Sequence, residues 1–426
     1  MNNIKDLNIQ KEILPLFDFT FNDFTKDALY QLLQVPLSSV TDIEKRQEIV
    51  KGFILNSEVF NHYSYSRVDF YEVHNFLNDL SVHNYEKERK LKFIFSEKEK
   101  KQTKAKFIQL LVLFHKLDIF YIKRIKIGDF PESYQKEIIA INDFLSSFNL
   151  NFYNNLIREN QFKIKHILEL ARVVSDHQQK GRVDIFYKQL LMFETYLSIS
   201  RGVTKHQFCF PTFSKDQLSF ENIYHPLLNN PIKNSFTNYN NVVLITGPNM
   251  SGKSTLLKSI GLCIYLAHLG LATPASKMEC PFFDYISIAI NYDDDIVKGY
   301  SHFMNEIMRL KQVLIKANEN KSCFAVFDEL FRGTNIEDAI QISTTTISGL
   351  SKFKNSFFFI STHLHQLKEI EQVKAKLVDS FYVDCIIQNN TPIFSYRIKE
   401  GWSDLKVGQL LFEKEGLNEL LNSKRI

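Results

Sequence analysis

The sequence predicts an all-helical N-terminal half followed by an α/β half built on a mainly parallel sheet. Two observations carry this. Up to about residue 205, apolar side chains recur at helical spacing with little strand signal. After Asn240 the pattern changes: short buried-type runs alternate with helix-period segments, the grammar of parallel strands joined by crossover helices. The expected division is residues 1–207 and residues 208–426.

In the first half, Phe24, Ala28 and Leu32 fall at four-residue spacing and stop before Pro36. Thr41 with Glu44 three residues later reads as a capping box, with Ile43, Val50 and Phe53 continuing an apolar face. Ile138, Ile141, Leu145 and Phe148 repeat the helix period, as do Ile164, Ile167, Leu168 and Ala171. A long helix is expected over residues 183–200, carrying Leu190, Leu191, Tyr196 and Leu197, with Gly202 closing it. Residues 208–240, with Pro211, Pro226, Pro231 and several Asn, read as the domain junction. Beyond it, residues 242–246, 323–327 and 357–361 are expected as buried strands. Helices are expected over residues 253–269, ended by Gly270, and over residues 335–352.

Bulk properties bound the class. The chain has 426 residues, 44% hydrophobic and 23% charged, an ordinary globular composition with room for two or three domains. The net charge of +4, from 52 basic and 48 acidic residues, is too mild to mark a nucleic-acid binder by itself. The excess of Phe, 38 against a single Trp, reads as compositional drift rather than a binding signature. Five Cys without metal-ligand or CxxC spacing read as small core residues in a reducing compartment. The opening MNNIKDLNIQKEIL lacks the basic start and apolar core of a signal peptide, and no apolar run reaches membrane-spanning length. A cytoplasmic protein without membrane contact is therefore expected. Basic residues dominate residues 86–106, and Lys123, Arg124 and Lys126 form a second cluster. A solvated helix face and a phosphate-contacting surface both fit them.

Three motifs carry chemistry. Gly247, Pro248, Asn249, Met250, Ser251, Gly252, Lys253 and Ser254, followed by Thr255, fit G-x-x-x-x-G-K-[ST] between an expected strand and helix. The glycines let backbone N–H groups curl around phosphate, and the helix points its positive end at the same anion. Lys253 would address the β- and γ-phosphates of ATP, and Ser254 offers a hydroxyl to Mg²⁺. Next, the apolar run ending in Asp328 and Glu329 would place one carboxylate for Mg²⁺, mostly through water, and one to polarise an attacking water. Two acids there also fit the start of a surface loop. Third, residues 359–363 deliver His363 after another buried strand, to sense the γ-phosphate, orient the water, or simply hydrogen-bond within a loop. His363 and His365 have no Asp, Glu or Cys partner at metal spacing, which argues against zinc.

These motifs resemble the MutS family of DNA mismatch repair proteins. TGPNMSGKST from Thr246 looks like its Walker A sequence. FDELFRGTN from Phe327 is similar to its Walker B segment and following loop, with Phe331 where Gly is common. GYSHFMNEI from Gly299 resembles a G-x-STFM-x-E segment, with His302 for the usual Thr, and STHLHQL from Ser361 resembles its switch. FDFTFNDFTKDALYQLLQVPLSSVTDIEKRQEIV from Phe17, and LLMFETYLSISRGVTKHQFCFPTF with YHPLL from Tyr224, look like the start of the core domain and the return into the ATPase. The resemblance implies an ABC-type P-loop ATPase domain preceded by an all-α lever and core domain. It implies ATP and Mg²⁺ as cofactors, DNA and repair proteins as partners, and a homodimer through the ATPase domains. Mismatch-recognition and connector domains have no counterpart in this sequence, and the short lever region implies a reduced or absent clamp. In the family two ATPase domains share each site. Ser301 of one subunit would then face the γ-phosphate bound to the other, although Ser301 also fits a plain helix N-cap.

Two functions follow from the resemblance. One is an ATP-dependent DNA-binding ATPase acting on mismatched, distorted or branched DNA. The other is a nucleotide-switched dimerisation protein that does not itself recognise mismatches. A transporter ATPase is disfavoured by the helical half and the lack of an LSGGQ-type signature.

Overall fold

The computed structural model describes residues 3–79, 97–215, 217–290, 302–331, 333–388, 391–405 and 407–422. Helices of six or more residues are numbered here. The first half holds α1 (Asp23–Leu32), α2 (Val40–Leu55), α3 (Arg67–Asp79), α4 (Glu97–Phe120), α5 (Glu132–Ser146), α6 (Leu150–Arg158), α7 (Ile164–Gln179) and α8 (Arg182–His206).

Contacts divide the chain into two compact units. One comprises Phe17–Leu32 and Lys45–Lys205; the other comprises Met1–Leu16, Leu33–Glu44 and His206–Ile426. This differs from a single cut at residue 207, because two N-terminal pieces fold with the α/β half.

The helical unit is packed with aromatics, and many of the Phe side chains lie in its core. Phe53 meets Phe193 edge-on with ring centroids 4.9 Å apart, and Phe144 stacks on Phe186 at 4.1 Å. Within this apolar surround lies a buried carboxylate, Glu194. It accepts hydrogen bonds from Tyr63 (2.6 Å), Thr25 (2.6 Å), Tyr65 (2.9 Å) and Asn22 (2.9 Å). Burial raises the Glu194 pKa, and the four donors oppose that shift. A buried carboxylate is tolerated when its lone pairs are filled in this way.

Two local expectations need correction. The cap of α2 is Ser39, whose Oγ accepts from the Asp42 backbone N–H at 3.1 Å, rather than Thr41 with Glu44. Thr41 already lies inside the helix. Gly202 does not end α8; it is buried within it, and the helix runs to His206. Tertiary packing outweighs the modest helix cost of one Gly.

The α/β unit contains two sheets. β1 (Thr212–Phe213), β2 (Leu218–Ile223), β3 (Asn234–Asn238) and β5 (Lys277–Cys280) form a four-stranded sheet ordered β1-β5-β2-β3. The expected junction at residues 208–240 therefore contributes three strands to a sheet. The second sheet holds β4 (Val242–Thr246), β6 (Tyr285–Ala289), β7 (Cys323–Phe327), β8 (Phe357–Ser361), β9 (Asp379–Gln388) and β10 (Thr391–Glu400), ordered β10-β9-β4-β8-β7-β6. All its neighbours are parallel except β9 and β10. β4, β6, β7 and β8 are buried at every residue, as expected for parallel strands covered on both faces. Connecting and flanking helices are α9 (Lys253–His268), α10 (His302–Asn318), α11 (Ile336–Leu350), α12 (Gly408–Lys414) and α13 (Leu417–Asn422). Asn3 bridges Ser287 in parallel, so the chain start lies along β6. Among the described residues, no helix is long and apolar enough to cross a membrane.

His268, at the end of α9, is fully enclosed. Its Nδ1 lies 2.8 Å from the Ile264 carbonyl and its Nε2 accepts from the Phe283 N–H at 2.9 Å, which assigns the neutral Nδ1–H tautomer. Burial pushes its pKa down to about 4. The folded state therefore refuses a proton that the unfolded chain accepts near pH 6.5. Stability from this site is complete above that pH and falls as pH drops toward 4, by about 3 kcal/mol in all. Denaturant unfolding followed through Trp402, the single tryptophan and a residue packed on the α/β core, should show this slope. The slope should flatten in His268→Gln; an unchanged pH dependence would exclude His268 as its source.

Candidate functional site

The parallel register brings the C-terminal ends of β4, β7 and β8 side by side. Ile245 pairs with Ser361, and Phe327 with Ile360. The residues just past these ends are Gly247, Asp328 and Thr362. Side chains that sequence reasoning singled out therefore emerge on one sheet edge, where ligands bind in open α/β sheets.

The loop from β4 to α9 is fixed by close approaches. Gly247 has φ +136°, and a Cβ there would sit 3.0 Å from the Val383 carbonyl oxygen. Gly252 has φ +99°, and a Cβ would sit 3.1 Å from the Tyr396 ring. Met250 adopts φ 68° and is 71% exposed at the loop tip. Ser251 is buried, and its Oγ has no hydrogen-bond partner among the described residues. Lys253 is only 4% exposed, and its ammonium donates to the carbonyls of Gly247 (3.0 Å) and Pro248 (3.1 Å). Burial lowers the Lys253 pKa; the nearby Glu329 and Asp328 carboxylates oppose the shift. Ser254 is exposed and Thr255 half-buried at the start of α9.

The acid pair follows β7. Asp328 is 8% exposed, and its N–H donates to the Ala289 carbonyl at 3.0 Å. The Ser361 hydroxyl donates to Asp328 Oδ1 and accepts the Glu329 N–H at 2.8 Å. Glu329 takes a left-handed backbone, φ 52°, and its Oε1 lies 2.6 Å from His363 Nε2. The structure thus pairs His363 with Glu329. Ser361 links both acids, a role that its place in the motif did not reveal. His365 opens a short 3-10 turn.

Two cavities meet at this edge. The larger, about 930 Å³, is lined by Lys253, Ser254 and Thr255, and also by Tyr224, His225 and Tyr396. The smaller, about 310 Å³, is lined by Phe331, Thr334 and His363. Asn249 and Glu329 border both. Sequence reasoning missed the Tyr224, His225 and Tyr396 wall. Tyr396 sits in a bulge of β10 at φ 54°, where Asn234 bonds its carbonyl at 3.0 Å and the Ile398 N–H at 2.8 Å. Burial and Lys258 lower the His225 pKa. The proximity of this wall is set by long-range pairing, and only the quoted YHPLL hinted at it.

Other expected residues fall elsewhere. Ser301 and residues 86–96 lie outside the described residues. Of the basic stretch, Lys98 and Lys101 are exposed on α4, Lys104 is half-buried, and Lys100 pairs with Glu97 at 3.0 Å. In the second cluster, Lys123 pairs with the buried Asp118 at 2.5 Å, and Arg124 covers the Phe120 ring. That pairing favours a structural role for Lys123. Among the described residues, no group of three or more His, Cys, Asp or Glu forms a metal cluster.

Residues 243–419 match the family model of MutS domain V. A DNA mismatch repair protein MutS from Geobacillus sp. (strain WCH70) is 35% identical over 167 residues, covering 39% of this chain and 19% of that protein. The MutS of Bacillus subtilis (strain 168) is 30% identical over 286 residues, 65% of this chain and 31% of its own length. That of Fusobacterium nucleatum subsp. nucleatum is 27% identical over 347 residues, 78% of this chain and 38% of its own. The chain thus spans well under half the length of these relatives. The matched region contains Gly247, Lys253, Asp328, Glu329 and His363, and over residues 243–419 the chain carries a domain of the MutS domain V family.

Proposed function

We propose that this chain is a P-loop ATP hydrolase whose nucleotide state governs a hold on DNA. One observation carries the reading: a buried lysine in a glycine-pinned loop shares a strand edge with an acid pair that His363 and Ser361 orient. The residues fit a nucleotide phosphate. Ser251 keeps a buried hydroxyl without a partner among the described residues, a side chain at Gly247 or Gly252 would crowd its neighbours at a strained positive φ, and α9 directs its positive end there.

In this reading Gly247, Pro248, Asn249, Met250, Ser251, Gly252 and Thr255 shape the phosphate cradle. Lys253 exchanges its two neutral carbonyl acceptors for anionic phosphate oxygens, an ion pair in place of charge–dipole bonds. Ser254 and Asp328 would hold Mg²⁺, which would neutralise charge on the phosphate oxygens. Glu329 orients the attacking water and His363 fixes the Glu329 carboxylate. The Tyr224, His225 and Tyr396 wall suits the nucleobase, with rings to stack and polar edges to select. Ser301 would complete the site of a second copy, and the homodimer would form through these domains. The relatives are named as DNA mismatch repair proteins, and DNA is the proposed partner, with repair proteins as further contacts. A binding panel of homoduplex, mismatched, branched and single-stranded DNA, with and without ATP, tests that part. No shift with any DNA, alongside ATP turnover, would favour a nucleotide-switched interaction protein.

Three outcomes are expected. Lys253→Met should weaken ATP binding about ten- to a hundredfold while keeping the fold, read by titration with a fluorescent ATP analogue. Unchanged affinity would end the P-loop assignment. Glu329→Gln should leave ATP affinity near normal but cut turnover by roughly 10²–10⁴. Equal losses in both would move Glu329 to ligand binding. Changing Lys98, Lys101 and Lys104 together to Gln should weaken DNA binding about equally across sequences and flatten its salt dependence, since each phosphate contact releases counterions. An unaltered salt slope would place the DNA surface elsewhere.

A further inference from the structure

We propose that Glu306 is a positioning residue that fixes the turn carrying Glu329, and that turnover depends on its reach rather than its charge. This rests on the reading of Glu329 as the acid that orients water.

Glu306 lies one turn into α10 and is 3% exposed. Its Oε2 accepts the buried Phe331 N–H at 2.8 Å. Phe331 has φ 67°, two residues after Glu329 at φ 52°. Two non-glycine residues in left-handed backbone within three positions form a turn that the chain does not adopt unaided, least of all with a bulky side chain. The Phe331 ring is anchored edge-on to Phe303, with centroids 6.2 Å apart. A Cβ at Gly333 would lie 2.9 Å from Phe303 Cβ, so the loop backbone is pressed against the first turn of α10.

That helix is itself held. Arg309, one turn beyond Glu306, donates to Asp6 Oδ2 at 2.9 Å, and the same oxygen accepts the Ile290 N–H at 2.9 Å. α10 thus acts as a post, Glu306 as its bracket, and the turn as the mounting of Glu329. Without the bracket, the Phe331 N–H is left buried beside a turn that prefers another conformation. The loop relaxes, and the Glu329 carboxylate loses its fixed place. Lys253 and its loop make no bond to Glu306 in the described contacts, so nucleotide affinity should be spared.

Three variants separate reach from charge. Glu306→Gln keeps an acceptor oxygen at the same distance without charge. Glu306→Asp keeps the charge but draws it back by about 1.5 Å. Glu306→Ala removes both. Small misplacements of catalytic groups are costly, so kcat should fall at least about tenfold in the Asp and Ala variants and less than about threefold in Gln, with the ATP Kd within about twofold throughout. In a Glu329→Gln background, Glu306→Asp should cost nothing further, because the two residues act as one unit. A merely structural role would cost the same in both backgrounds, and that result would overturn the proposal. So would Glu306→Asp outperforming Glu306→Gln, or a Kd loss matching the kcat loss. If Ala fails to fold, the Gln and Asp pair decides. Failure of the underlying reading looks different. Glu329→Gln would then keep its turnover, and the positioning role would fall with it. Loss of turnover in Glu329→Gln, with normal turnover in Glu306→Asp, would remove the positioning role alone.

Discussion

The parallel register among β4, β8 and β7 is the constraint on which the rest depends. Ile245 opposite Ser361, and Phe327 opposite Ile360, place a loop, an acid pair and a hydroxyl at one level of the sheet. Side chains alternate faces along a strand, so a slip of one residue would turn Ser361 away from Asp328 and break both of its bonds. The register is guarded by packing: each of these strands is enclosed on both faces along its length, and a slip would force side chains of other shapes into a close-packed core.

Around that edge the backbone is held in conformations it does not prefer. Met250, Glu329, Phe331 and Tyr396 all take positive φ without being glycine. Such residues persist only where their surroundings over-determine them. Here the surroundings are visible. The Ser361 hydroxyl holds the Glu329 N–H, and Asn234 holds the Tyr396 carbonyl. Lys253 is in a comparable state, with its ammonium satisfied by two loop carbonyls that an anionic ligand would outcompete.

Much of this was legible from sequence because short range fixes it. The buried run 242–246, the glycine turn after it and the strands ending before Asp328 and at Ser361 all declare themselves locally. The strands of the four-stranded sheet were hidden, since β2 and β3 are short, polar at several positions and separated by a stretch rich in Pro and Asn. Ser39 and Thr41 both precede an acid by three residues, and only packing chooses between the two frames. The Tyr396 wall and the Glu306 contact were out of reach for another reason. Each joins segments that fold topology, not local pattern, brings together.

The chain start running along β6 has a consequence for the order of folding. Asn3 exchanges backbone hydrogen bonds with Ile286 and Ile288, and Leu37 donates to the His268 carbonyl. None of these contacts can close until the distant partner has left the ribosome. The helical unit, lying between those early segments and the rest of the α/β unit in sequence, can mature first, as domains do during synthesis. Asn3 must then wait for β6 to be made. Because loop-closure entropy grows only slowly with length, that delay costs time more than stability. Until that closure the outer edge of β6 lacks its bridge to Asn3, the interval in which strand addition by another chain would be easiest.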